Sequence, residues 1–191
     1  MLQDGIYFNL NEDEYHKDLA LGSTNLKMLL GNPEDYWYDK FKEARAETPA
    51  LTYGRQIHKC ILEGVEAFSE TYASYEGNLN TKAGKEAFEL AKATGKTPIK
   101  LDEFNKILSV NTQIKQDPSI DKIFKKGIAE ISVIWTDEKT GIRFKARFDY
   151  LRKNSIIDLK TLSNPNNKPM HIAVKDAIAG FKLYSLCRTL Y

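Results

Sequence analysis

Ile142-Arg143-Phe144-Lys145-Ala146-Arg147-Phe148-Asp149-Tyr150-Leu151 alternates without a break, and Ser155-Ile156-Ile157-Asp158-Leu159-Lys160-Thr161 follows after three turn-prone residues. Period-2 alternation marks a strand with two unlike faces. Ile142, Phe144, Ala146, Phe148 and Tyr150 share one face, and Arg143, Lys145, Arg147 and Asp149 share the other. Asn154 tolerates the left-handed backbone of a tight hairpin, so Lys153-Asn154 reads as a two-residue loop. That register pairs Arg152 with Ser155, sets Asp149 opposite Asp158 and sets Arg147 opposite Lys160. Opposed carboxylates repel each other, and a sheet gains nothing from them. A divalent cation reverses the sign, because two carboxylates, a backbone carbonyl and waters form an oxygen ligand set. Lys160, two residues past Asp158, then stands beside the ion, where it can orient a water or offset phosphate charge. Lys145 and Arg147, on the same face, can hold neighbouring phosphates. The pattern alone reads equally well as an exposed hairpin face of mixed charge. Asp-x-Lys also recurs at Asp137-Glu138-Lys139, where Gly141 marks a solvated hairpin tip.

Outward from this hairpin, Ile128 to Thr136 is a further alternating strand, which makes a meander of three. Helices precede it. One is expected from Asn25 to Leu30, capped by Ser23 or Thr24 and stopped at Gly31. Another opens at Asn32-Pro33. Leu51 to Leu62 carries Tyr53, Ile57 and Ile61 on one face. Thr81 to Ala93 and Leu101 to Gln116 complete the first half. After the meander, Pro169 starts a helix with Ala173, Val174, Ala177, Ile178 and Phe181, and Lys182 to Tyr191 is expected to be helical. Helices, a small mostly antiparallel sheet, then helices make an α+β fold.

The chain's 191 residues suit one domain over 1–191, with 42% hydrophobic and 28% charged residues and a mean hydropathy of −0.47. No apolar run approaches the ~18–20 residues that span a bilayer. The opening Met1-Leu2-Gln3-Asp4-Gly5 has neither the basic nor the apolar part of a secretory leader. Cys60 and Cys187 provide no disulfide framework and no zinc set, so a cytoplasmic setting is expected. Residues 1–47 carry a net charge of −5 and the rest +7. A basic body permits a polyanionic ligand.

Arg147-Phe148-Asp149 followed by Ile157-Asp158-Leu159-Lys160-Thr161 resembles the PD-(D/E)XK nuclease core. More narrowly, the chain resembles the nuclease domain of the exodeoxyribonuclease VIII (RecE-type) family of phages and prophages. Further matches run in order along the chain: Gly5-Ile6-Tyr7, Glu14-Tyr15-His16, Gly22-Ser23-Thr24-Asn25-Leu26-Lys27, Asn32-Pro33, Tyr53-Gly54-Arg55-Gln56-Ile57-His58 with Leu62-Glu63, Thr81-Lys82-Ala83-Gly84-Lys85 and Gly127-Ile128-Ala129-Glu130-Ile131-Ser132. The resemblance implies a Mg²⁺- or Mn²⁺-dependent exonuclease acting on linear double-stranded DNA, 5′ to 3′, in phage-type recombination. It implies His58, Asp149, Asp158 and the Leu159 carbonyl as metal ligands. Glu130 would lie at or near the metals, and Lys160 would be the catalytic cation. Lys145, Arg147, Thr161 and Tyr184 are expected to contact DNA. An imidazole ligand suits Mn²⁺ better than Mg²⁺. A single-strand annealing protein and a homo-oligomer are the implied partners.

The chain departs from the family in three places. Cys187 stands where relatives carry Gln, Asn80 where they carry Arg, and relatives usually continue past the position of Tyr191. A truncated, weak and distributive enzyme is the resulting expectation. The alternatives are an inactive DNA-binding remnant and a PD-(D/E)XK endonuclease. His16 and His171 match no ligand position, and Cys60 is expected in the core.

Overall fold

The computed structural model describes residues 1–42, 48–162, 164 and 166–181. They divide into two compact units, one over Met1–Leu159 and one beginning at Lys160. The fold is α+β, with a four-stranded antiparallel sheet flanked by helices.

In the first unit, β1 (Gly5–Tyr7) precedes three helices: α1 (Glu12–Lys17), α2 (Ser23–Gly31) and α3 (Pro33–Phe41). Asn32 caps α3 by accepting the Glu34 N–H at 3.1 Å, and Pro33 occupies its first turn. The α2 cap is Gly22, one residue before the expected Ser23. Thr48 and Pro49 open α4 (Pro49–His58), which continues as a π turn over Lys59–Glu63 and stops at Gly64 (φ 103°). The expected helix over Leu51 to Leu62 is therefore two kinds of helix joined at His58.

Next come α5 (Val65–Thr71), β2 (Tyr72–Tyr75), α6 (Lys82–Ala93), β3 (Thr97–Lys100) and α7 (Leu101–Gln116). Thr81 caps α6 through the Gly84 N–H at 3.1 Å. Gly84 is obligatory there, since a Cβ would lie 2.1 Å from the Asn78 carbonyl oxygen. β2 and β3 pair in parallel as a separate two-stranded sheet. Ile57, Cys60, Phe68, Tyr72, Ile99 and Ile107 form a buried core here, and Leu159 packs against it. Cys60 is fully buried, as expected, and burial pushes its thiol up.

α8 (Pro118–Asp121) leads into the main sheet, built from β4 (Gly127–Thr136), β5 (Arg143–Arg152) and β6 (Ser155–Ile157) in the order β1-β4-β5-β6. The hairpin register is the expected one, with Arg152 opposite Ser155. The third strand, however, ends at Ile157, not Thr161. In the second unit, α9 (Met170–Phe181) forms near its expected start, and Lys168 Nζ bonds Asp176 Oδ2 at 2.7 Å. The helix expected over Lys182 to Tyr191 lies outside the described residues. No helix among the described residues is long and apolar enough to cross a membrane.

Candidate metal centre

Three elements of the first unit bring His58 (α4), Glu130 (β4) and Asp149 (β5) together. One potential ligand atom from each lies within 4.8 Å of the others. Each side chain is partly buried. This is the one such cluster of His, Cys, Asp and Glu among the described residues.

The β4–β5 register puts Glu130 opposite Asp149, because Ala129 pairs with Tyr150 and Ile131 with Phe148. Glu130 breaks its own rung: its φ is 53°, in the left-handed region. A non-glycine residue held there costs about 1–3 kcal/mol, and such strain concentrates at active sites and ligand clamps. Burial, above all, pushes the Glu130 carboxyl up to about 7. Arg147 opposes the shift, while Asp149, Glu63 and Glu12 add to it.

His58 and Asp149 converge on one main-chain residue. His58 Nε2 lies 2.9 Å from the Leu159 carbonyl, and Asp149 Oδ2 accepts the Leu159 N–H at 2.7 Å. A carbonyl only accepts, so Nε2 carries the proton, and a neutral ring keeps its lone pair on Nδ1. That Nδ1 faces Asp149 Oδ2 at 3.8 Å. A nitrogen lone pair and two carboxylates converging in a partly buried place fit a divalent cation, the imidazole favouring the softer ions. With Leu159 anchored in the core by its side chain, the segment after β6 is gripped at three points.

The other expected site residues divide. Asp158 is exposed, one residue past β6, and does not belong to the cluster. The ladder ends at Tyr150 opposite Ile157, so the expected Asp149–Asp158 rung is not formed. Asp149 bonds the Leu159 N–H instead, and its opposing carboxylate is Glu130. Lys160 and Thr161 are exposed and belong to the second unit. Tyr184 and Cys187 lie outside the described residues.

The polar face of β5 requires a correction. It was expected to meet phosphates, but the N-terminal segment uses it. Lys145 is only 5% exposed, and its ammonium donates to the carbonyls of Tyr15 (2.6 Å) and Asp18 (2.8 Å). Burial pulls its pKa down to about 8, helped by Lys40. Arg143 donates to the Leu2 carbonyl. Arg147 donates through Nε to Ser132 Oγ (2.8 Å) and through a terminal nitrogen to the Leu10 carbonyl (2.7 Å), with its guanidinium 4.5 Å over the Tyr15 ring. Period-2 alternation separates two faces but does not say which one meets water. His16 is exposed and lies 3.7 Å from Glu12, outside the cluster.

Sequence reasoning missed Tyr15, Ser132 and the left-handed Glu130 backbone. Tyr15 and Ser132 sit in quoted motifs, but nothing in the sequence signals the backbone. It also missed the Glu12–Arg55 ion pair (3.3 Å) that ties α1 to α4 one turn before His58.

No curated protein and no solved structure matches the chain. A family model described as a PDDEXK-like domain of unknown function (DUF3799) matches residues 22–179. Such a domain points to nuclease chemistry, and nucleases of this kind usually use divalent metals. The match spans most of the chain and takes in α4, β4 and β5 with all three clustered side chains, so the protein belongs to this PDDEXK-like family.

Proposed function

We propose that the protein is a Mg²⁺- or Mn²⁺-dependent exonuclease of linear double-stranded DNA, working 5′ to 3′ in phage-type recombination. The observation that supports it best is the convergence of His58, Glu130 and Asp149 beside Leu159, at the start of the Asp-Leu-Lys-Thr motif's grip on the core. Duplex preference and polarity rest on the resemblance to RecE-type nucleases. His58, Glu130 and Asp149 would hold the ion, with Asp158 as a further oxygen donor; the Leu159 carbonyl, expected as a ligand, instead accepts the His58 Nε2 proton on the far side of the ring from Nδ1. A bound divalent ion would supply Lewis-acid stabilisation of phosphate charge and make water a better nucleophile near neutral pH.

The chain's own groups do the rest. Asp149 fixes the Leu159 N–H and so sets where the motif leaves β6. Glu130, whose carboxyl burial raises to about 7 in the metal-free chain, must give up its proton to serve as a ligand. Lys160 supplies the cation that orients the attacking water, and Thr161 and Tyr184 contact DNA. A single-strand annealing protein and further copies of this chain are the proposed partners, in the cytoplasm.

Digestion of end-labelled linear duplex and of closed circular duplex, with Mg²⁺ or Mn²⁺, tests the reading. The expected result is mononucleotide release from linear DNA only, abolished by Asp149→Asn and by His58→Ala. Cleavage of the circle would make the protein an endonuclease. DNA binding without cleavage under any metal would make it a binding module.

A further inference from the structure

Arg147 was expected at a phosphate, but its contacts among the described residues are with the protein's own strands and N-terminal segment. Its Nε donates to the fully buried Ser132 hydroxyl at 2.8 Å, a terminal nitrogen donates to the Leu10 carbonyl at 2.7 Å, and its plane lies 4.5 Å from the Tyr15 ring centre. Nε also lies 3.9 Å from Glu130 Oε2. Ser132 and Glu130 are two residues apart in β4, and Arg147 sits opposite Ser132 in the ladder. The guanidinium thus bridges the strained strand, its neighbouring strand and the N-terminal segment.

We infer that Arg147 is a positioning residue: clamped by Leu10, Tyr15 and Ser132, it holds the Glu130 carboxylate in place for a divalent cation. This rests on the metal reading above. Its physical content lies in a sign. A cation near an ion site repels the ion, so removing Arg147 should tighten metal binding if only its charge mattered. Removing a group that orients a ligand weakens binding, by about 10–100-fold for partners of this kind. A fork with two fixed nitrogens can serve Ser132 and Leu10 at once, which an ammonium at one point cannot do with the same geometry.

Calorimetric Mn²⁺ titration of the full chain decides the matter, with melting in chelator as the check on folding. Arg147→Met should bind Mn²⁺ at least about tenfold more weakly than wild type. Arg147→Lys should not restore wild-type affinity. The double variant Arg147→Met/Glu130→Gln should bind no more weakly than Glu130→Gln alone, because Arg147 acts through Glu130. Ser132→Ala, which leaves the Tyr15 stacking in place, should shift affinity in the same direction and keeps the idea testable if Arg147→Met does not fold. Wild-type or tighter Mn²⁺ binding by Arg147→Met, or full additivity in the double variant, overturns the inference and leaves the metal reading standing. A wild-type chain that binds no Mn²⁺ overturns both.

Discussion

At the scale of single residues, Glu130 concentrates the tension of the site. Its carboxyl is raised to about 7, chiefly by burial, from an ordinary value of 4.5. The folded state therefore holds a proton that the unfolded chain releases between those values. This contribution to stability is complete below about 4.5 and is lost as pH rises through 7. Metal-free protein should melt progressively lower from pH 5 to 8 in chelator, and Glu130→Gln should flatten that slope and melt higher than wild type at pH 8. Metal affinity should run the other way, rising through pH 7 as the ligand loses its proton. A wild-type melting temperature with no slope across this window would show that Glu130 is not held neutral by burial.

At the scale of elements, β5 carries cations on a face that the N-terminal segment covers. Lys145 satisfies two main-chain carbonyls there. Lys145→Met should cost about 1–3 kcal/mol by leaving a buried acceptor short of its donor. Under the proposed nuclease function, the salt dependence of DNA binding should not change, since no phosphate contact is lost. A shallower salt slope with unchanged stability, measured by fluorescence anisotropy and denaturant titration, would make Lys145 a phosphate contact after all. The elements themselves were legible wherever local chemistry decides them. Asn32-Pro33 and Thr81 announce their helices and Lys153-Asn154 announces the hairpin, whereas the Thr48-Pro49 start of α4 was not read and that helix was expected only from Leu51. β1, β2 and β3 were not legible, since strands of three or four residues exist only through partners distant in sequence. The metal-site assignment shows the same division. His58, Asp149 and Glu130 stood in recognisable motifs and do converge. Asp158 was paired with Asp149 by extending the strand period one residue past the point where Asp149 captures the Leu159 N–H.

At the scale of the whole molecule, the helical core and the sheet differ in how far their contacts reach along the chain. The core residues from Ile57 to Ile107 lie within one continuous stretch. The ties that support Arg147, Lys145 and Arg143 span 137, 130 and 141 residues respectively. Contacts of long sequence separation form late, because the chain must first close a large loop. Refolding should therefore proceed in two stages, with the helical signal recovering before the cation site becomes competent. Interrupted refolding checks this, with far-ultraviolet ellipticity for the helices and Mn²⁺ uptake for the site. Simultaneous recovery of both signals would mean that the site assembles without its N-terminal clamp. A chain leaving the ribosome would meet the same constraint in reverse: Leu10 and Tyr15 emerge before β5 and must wait for it. Through that interval the protein would have its helical scaffold but no assembled cation site, and any metal-dependent chemistry would wait for the segment around Leu10 and Tyr15 to meet β5.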